Sequence, residues 1–145
     1  MGSERMKSAK PRVAVAIRRA TDNDVAAIAA LMKARKLAKG GDLRARLKQL
    51  VGSTMSDCFV AEERGSITGA VLAVFNGFTV FVSHIAVDAV IERKGVGSAL
   101  LEAVVAHAKG RKATSLIVDS RLTSTTFFFR HGFSLPGAVL MIRDV

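Results

Sequence analysis

The run Glu92-Arg93-Lys94-Gly95-Val96-Gly97-Ser98-Ala99-Leu100-Leu101 holds the residues best suited to chemistry. It lies between an apolar run, Phe78 to Val87, and an amphipathic run from Val96 to Lys109. A strand that ends in a basic, glycine-flanked turn and opens a helix makes an anion site. The first helical N–H groups have no partner inside the helix, and glycine lets a phosphate come close to them. Arg93 and Lys94 add positive charge beside the turn. The expected ligand is a phosphate or pyrophosphate. Two other phosphate motifs do not fit these letters. A dinucleotide fingerprint needs a third glycine at position 100, which is Leu100, and no glycine here is followed by the Lys-Ser/Thr pair of a Walker-type loop. A plain tight turn at the start of a helix remains the competing reading.

Other reactive groups are few. Cys58 is the single cysteine, which excludes an internal disulfide and a zinc cluster, so no metal is expected. In the apolar run Cys58-Phe59-Val60-Ala61 it reads as a small buried hydrophobe. The formal net charge is +10, and much of it sits in Lys33, Arg35, Lys36, Lys39, Arg44, Arg46 and Lys48. Such a cluster can steer an anionic cofactor, an acidic substrate or nucleic acid, or form a solvated face. A single-strand nucleic-acid platform needs aromatics between the charges, and this segment has none, so nucleic acid is not expected.

The elements that must position the turn follow from periodicity. The 145 residues suffice for one domain, expected over 12–145 after a flexible tail over 1–11. No apolar run approaches the roughly 20 residues of a membrane span, and the polar N-terminus carries no signal-peptide core, so a cytoplasmic protein without membrane contact is expected. Val13 to Ile17 reads as a strand. Thr21 and Asp24 have capping-box spacing ahead of Val25, Ile28, Ala29 and Met32, which recur at helical spacing. Gly40-Gly41 ends that helix, and Leu43, Leu47 and Leu50 mark a second that Gly52-Ser53 closes. Asp57 to Glu63, Ile67 to Phe75 and Phe78 to Val87 read as strands, with Asn76-Gly77 predicting a type I′ hairpin turn. Their nearly continuous apolar character predicts helices on both faces of the sheet. Val96, Ala99, Leu100, Ala103, Val104 and His107 share one helical face, and Gly110 ends that helix. Thr114 to Asp119 is a strand expected to run parallel to the one ending at Val87. Leu122 to Arg130 is a short helix, and Ala138 to Arg143 a last strand. The fold class is α/β, in the order βααβββαβαβ.

That order, with these motifs, resembles the GCN5-related N-acetyltransferase (GNAT) superfamily over nearly the whole chain, from Ile17-Arg18-Arg19-Ala20-Thr21 onward. The most specific part is Ile85-Ala86-Val87 through Gly95-Val96-Gly97-Ser98-Ala99-Leu100-Leu101. The second is Phe127-Phe128-Phe129-Arg130-His131-Gly132-Phe133, similar to the family's Phe-Tyr-x-x-x-Gly-Phe. The resemblance implies an N-acetyltransferase that binds acetyl-CoA as cosubstrate where two parallel strands splay. It implies that Arg93, Lys94, Gly95, Val96, Gly97 and Ser98 hold the pyrophosphate, and that the backbone of Ile85, Ala86 and Val87 meets the pantetheine arm and thioester. Ser124 and Phe128 belong to the same implied coenzyme site. The acetyl group would pass directly to a primary amine, on a small molecule or peptide, in a ternary complex. A homodimer is expected from the resemblance and from the apolar segment Ala138 to Ile142.

The chain departs from the family pattern in two places. Glu92 stands where the family's turn usually has Arg or Gln, and Phe128 stands where it often has a tyrosine acid; the chain contains no tyrosine. A module of the same fold that binds acyl-CoA without transferring the acyl group is therefore the alternative reading. His84, three residues before Val87, is the candidate base, with a hydrogen-bonded structural histidine as its competitor. His131 reads as a helix C-terminal cap and His107 as structural. Asp119 is a candidate to attract a cationic acceptor, to serve as base or to cap the next helix, and Ser120, Ser124 and Thr125 are candidate donors to the coenzyme or the thiolate.

Overall fold

The computed structural model describes residues 15–38, 41–91 and 95–145. Within them a five-stranded sheet runs in the order β1 (Ala16–Arg19), β2 (Phe59–Glu63), β3 (Ser66–Phe75), β4 (Thr79–Val87), β5 (Ser115–Val118). The first four strands are antiparallel and β5 is parallel to β4. The parallel step requires a crossover, which α3 (Val96–Gly110) supplies.

Alternation along each strand sorts the side chains into two cores. Val60, Ala70, Leu72 and Ala86 face α1 (Val25–Ala34) and α2 (Leu43–Val51), together with Ile28, Met32 and Leu47. Ala61, Val71, Ala73, Val80 and Val82 face α3 and α4 (Thr125–Arg130), against Val96, Leu100, Leu101, Val104 and Phe128. Helices on both faces explain why β3 reads as an almost unbroken apolar run. Cover is incomplete on the α1/α2 face, where Val74, Phe81 and Ile117 stay partly exposed. There the two helices pack on the β1–β3 side of the sheet and stop short of this edge.

The start of α1 follows the capping box. Thr21 N–H donates to Asp24 Oδ2 at 2.8 Å, and a short 3₁₀ turn, Asp22–Asp24, leads into the helix. The β3–β4 hairpin forms at the expected place with a different turn. Asn76 N–H donates to Thr79 O at 3.1 Å, so Gly77 and Phe78 are the central residues. Gly77 has φ +99° while Phe78 has no positive φ, the pattern of a type II′ turn rather than the type I′ turn expected of Asn76-Gly77. Asn76 serves through its side chain, whose Oδ1 accepts from Phe78 N–H and Thr79 N–H.

Other expectations shift. The first strand lies at Ala16–Arg19, later than Val13 to Ile17, and positions 13 and 14 fall outside the described residues. The tail expected over 1–11 and Gly40 also lie outside them. The helix expected over Leu122 to Arg130 is a 3₁₀ turn, Leu122–Ser124, followed by α4. Ala138 to Arg143 is not a strand: it meets no ladder partner among the described residues, Gly137 at φ +76° turns the chain just before it, and Val139 to Ile142 are exposed.

Candidate active site

β4 and β5 pair only from Thr79 with Ser115 to Val82 with Val118. Beyond Val82, β4 continues for five residues, Ser83 to Val87, along which β5 gives no partner. A β-bulge marks the same point. Leu72 pairs with His84 while the next residue, Ala73, pairs with Val82, leaving Ser83 as the extra residue. Bulges re-aim the side chains that follow them. Before the bulge the even positions Val80 and Val82 face the α3/α4 core; after it Ile85 and Val87 do, and Ala86 faces α1/α2. His84 shares the face of Ala86. It is half-buried, and its surroundings include the Leu37 backbone after α1.

The end of β4 points toward the start of α3. Gly95 is the N-cap of this helix at φ +83°, a conformation that glycine adopts without strain. Ala99 N–H donates to Gly95 O at 3.0 Å, so the amides of Val96, Gly97 and Ser98 come before this bond and seek acceptors elsewhere. Val96 is buried, so only its backbone is available. At Gly97 an added Cβ would lie 3.7 Å from Val87 and 3.8 Å from the Phe127 ring. The helix start, the strand end and the α4 aromatics therefore surround one position. Glu92, Arg93 and Lys94 lie outside the described residues.

A side-chain network lies one residue further along α3. Ser98 Oγ is 3.0 Å from His131 Nε2, and His131 Nδ1 is 2.7 Å from Glu102 Oε1. The His131 ring packs 4.9 Å from Phe127. His131 is also the C-cap residue of α4, as its sequence position suggests, with its N–H on Phe128 O at 3.0 Å. Sequence alone gives the cap; the contact with Ser98 and Glu102 depends on α4 docking across α3.

The remaining candidates separate. Phe128 is buried in the core, edge-on to Phe127 at 5.1 Å and to Phe133 at 5.5 Å. Ser124 is the N-cap residue of α4, and its hydroxyl makes no hydrogen bond among the described residues. Ser120 Oγ donates to Arg121 O and Thr125 Oγ1 to Leu122 O, both local contacts. Asp119 is exposed and caps nothing among the described residues. Cys58 is buried, and burial pushes its thiol above the ordinary range, so it is a core residue.

His84 has a defined environment. Ser83 Oγ stands 2.9 Å from His84 Nδ1, and desolvation holds the imidazole below its ordinary pKa despite an opposing backbone hydrogen bond with Leu37. Such a histidine stays neutral, and able to accept a proton, into mildly acidic solution.

One buried carboxylate is not evident from the sequence. Asp57 is fully buried; its Oδ1 accepts from Arg111 Nε at 2.9 Å and lies 3.0 Å from His107 Nε2, while Oδ2 has no partner among the described residues. The Arg111 guanidinium also lies 5.2 Å over the Phe75 ring. This cluster joins the C-terminal end of α3 to the segment before β2, roughly 20 Å along the helix from Gly95. It lies away from the α3 turn and ties the helix end to that segment. The basic residues of α1 and α2, Lys33, Arg44, Arg46 and Lys48, are exposed on the other helical layer and do not line the α3 turn. Among the described residues no helix is long and apolar enough to cross a membrane.

Comparison with known proteins agrees with this geometry. A profile of the acetyltransferase (GNAT) family matches residues 20–133. No protein of curated function matches the chain. Several solved structures share the fold. A ribosomal-protein-alanine N-acetyltransferase from Brucella melitensis biovar Abortus 2308 is 18% identical, covering 90% of this chain and 100% of its own, with a TM-score of 0.74. The aminoglycoside N-acetyltransferase AAC(6')-Iy, in complex with CoA, is 20% identical over 90% of this chain and 95% of its own, with a TM-score of 0.76. A Trypanosoma brucei acetyltransferase is 18% identical over 91% of this chain and 100% of its own, with a TM-score of 0.77. The match over most of the chain, on a mixed sheet whose β4 runs on past its last pair with β5 toward a glycine-capped helix, shows that the protein belongs to the GNAT acetyltransferase family.

Proposed function

We propose that the chain is an acetyl-CoA-dependent N-acetyltransferase acting on a primary amine. The observation that carries this reading is the stretch of β4 beyond Val82 that β5 leaves unpaired, beside the free amides at the start of α3. In this reading the pyrophosphate lies on the amides of Val96, Gly97 and Ser98, with Arg93 and Lys94 supplying charge, and the pantetheine arm runs along Ile85 to Val87. An N–H on that strand edge polarises the thioester carbonyl and stabilises the oxyanion that forms from it.

The amine approaches from the α1/α2 face, the face that His84 shares. Its nitrogen attacks the thioester carbon, the amine proton passes to His84 directly or through water, and the C–S bond breaks as the tetrahedral intermediate collapses. The departing thiolate takes its proton from solvent, because Phe128 offers no acid. No covalent enzyme intermediate is required, in keeping with the buried, inert Cys58. The aminoglycoside and protein-alanine enzymes of the same fold make both polyamine-like small molecules and peptide N-termini reasonable acceptors to test.

The test is release of coenzyme A thiol from acetyl-CoA across a panel of such amines. Release that depends on the amine supports the reading. Binding of acetyl-CoA with no transfer to any amine would favour the module that holds acyl-CoA without chemistry.

A further inference from the structure

The Ser98–His131–Glu102 network has a hydrogen-bond logic of its own. Glu102 as a carboxylate can only accept, so the 2.7 Å contact requires a proton on His131 Nδ1. A neutral His131 therefore carries a lone pair on Nε2, and at 3.0 Å that atom accepts the Ser98 hydroxyl proton. Ser98 then presents only oxygen lone pairs to any other group nearby. A protonated His131 reverses the contact: Nε2–H donates to Ser98 Oγ, and the Ser98 proton is free to turn elsewhere. One proton on the imidazole thus changes Ser98 from a poor neighbour of an anion into a donor to it.

We propose that His131 is a positioning residue for the coenzyme's pyrophosphate. It orients the Ser98 hydroxyl toward a phosphate oxygen when protonated and withdraws it when neutral, so that binding is coupled to proton uptake. The inference rests on the coenzyme reading above, since Ser98 lies in the first turn of α3 where that reading seats the pyrophosphate. The geometry limits the competing influences. The ring's charged partner among the described residues is Glu102 on α3; its other partners, Ser98 on α3 and Phe127 on α4, are uncharged. Arg130, its neighbour in sequence on α4, is exposed and makes no ion pair among the described residues. The His131 side chain is only 14% exposed, which holds the ring in one orientation, whereas Glu102 is 59% exposed. Glu102 thus acts mainly by fixing the tautomer. Phosphate and imidazolium favour each other, so a ligand that takes the Ser98 donor also draws a proton onto His131.

The experiment is calorimetric titration of the full chain with dephospho-coenzyme A. This probe lacks the 3′-phosphate monoester, and its remaining pyrophosphate keeps a constant charge near neutrality. Titrations in two buffers of different ionisation enthalpy at about pH 7.5 should show net proton uptake on binding. Wild-type affinity should rise about tenfold from about pH 8.5 to about pH 6. Ser98→Ala should lose most of that rise and match the wild type at the alkaline end. His131→Gln, whose amide can donate to Ser98 at any pH, should bind with little pH dependence and close to the wild type at acidic pH. A Ser98→Ala variant with the wild-type pH dependence, or wild-type binding without proton uptake, would overturn the inference while leaving the coenzyme reading intact. A folded wild type that binds neither this probe nor acetyl-CoA at any pH would overturn the coenzyme reading, and the inference with it.

Discussion

His84 Nδ1 and Ser83 Oγ lie 2.9 Å apart at the bulge in β4, and the same hydroxyl stands 3.2 Å from the Leu72 carbonyl oxygen. A serine has one proton to give, and the carbonyl can only accept. Ser83 donates to Leu72 O, while His84 has two neighbours for its ring nitrogens, the Ser83 hydroxyl at Nδ1 and the Leu37 backbone. The bulge places His84 on the face of Ala86, toward α1 and α2.

This gives the first prediction. Burial holds the His84 pKa below its ordinary value, so the acidic limb of a pH–rate profile should fall below about pH 6.5. His84→Ala should lower turnover of a true substrate by about a hundredfold and remove that limb. Steady-state rates across pH, with wild type and variant side by side, check this. An unchanged limb in the variant would remove His84 from the proton transfer. The same depressed value makes the neutral ring part of folded stability, a contribution present above the unfolded pKa and lost as pH falls through the folded one.

Gly69 on β3 supplies a second prediction. A Cβ there would stand 3.0 Å from both the Leu100 and the Val96 side chains, so α3 packs on β3 closely enough that an added methyl group would push these side chains aside. Gly69→Ala should destabilise the fold by about 1–3 kcal/mol through overpacking. Urea unfolding measures it. A variant as stable as the wild type would mean that α3 can move off the sheet without cost.

Asp24 supplies a third. Its carboxylate accepts from Arg18 Nη1 at 2.8 Å and Nη2 at 2.9 Å, and Arg18 foremost holds its pKa below the ordinary carboxylate value. A group lowered on folding stabilises above its unfolded pKa, and that contribution is lost as pH falls through the folded value. Asp24→Asn should cost about 1–2 kcal/mol at neutral pH, a modest figure because Arg18 is partly exposed and screened. The difference from wild type should shrink in acid, below about pH 4. Denaturant titrations at both pH values decide it, and a gap that does not change with pH would contradict the assignment.

Much of this architecture is written in local pattern. The capping box at Thr21 and Asp24, the 3.6-residue period of α3 and the glycines at its start are local devices, and they appear where their residues predict. The misses come from features that no short window contains. The bulge at Ser83 depends on how β3 and β4 register, and it decides which face His84 occupies. The docking of His131 onto Ser98 and Glu102 joins residues far apart in sequence, although the i, i+4 spacing of Ser98 and Glu102 does put both on one side of α3. Asp57 reads as an ordinary polar residue beside a strand until Arg111 and His107 close over it. The segment from Ala138 to Arg143 has the composition of a strand, but composition cannot provide the ladder partner that a strand requires.

The central claim, that acetyl-CoA lies with its pyrophosphate at the start of α3, is tested most directly at Gly97. An alanine there would make ordinary contacts, at 3.7 Å to Val87 and 3.8 Å to Phe127, so the fold tolerates a side chain, whereas a large ring would fill the space beside the free amides. Calorimetric titration with acetyl-CoA should give Gly97→Ala an affinity within a few-fold of the wild type. Gly97→Phe should bind about a hundredfold more weakly, or about 2.7 kcal/mol, while still unfolding cooperatively on heating. Unaltered affinity in a folded Gly97→Phe protein would contradict the account and put the coenzyme elsewhere.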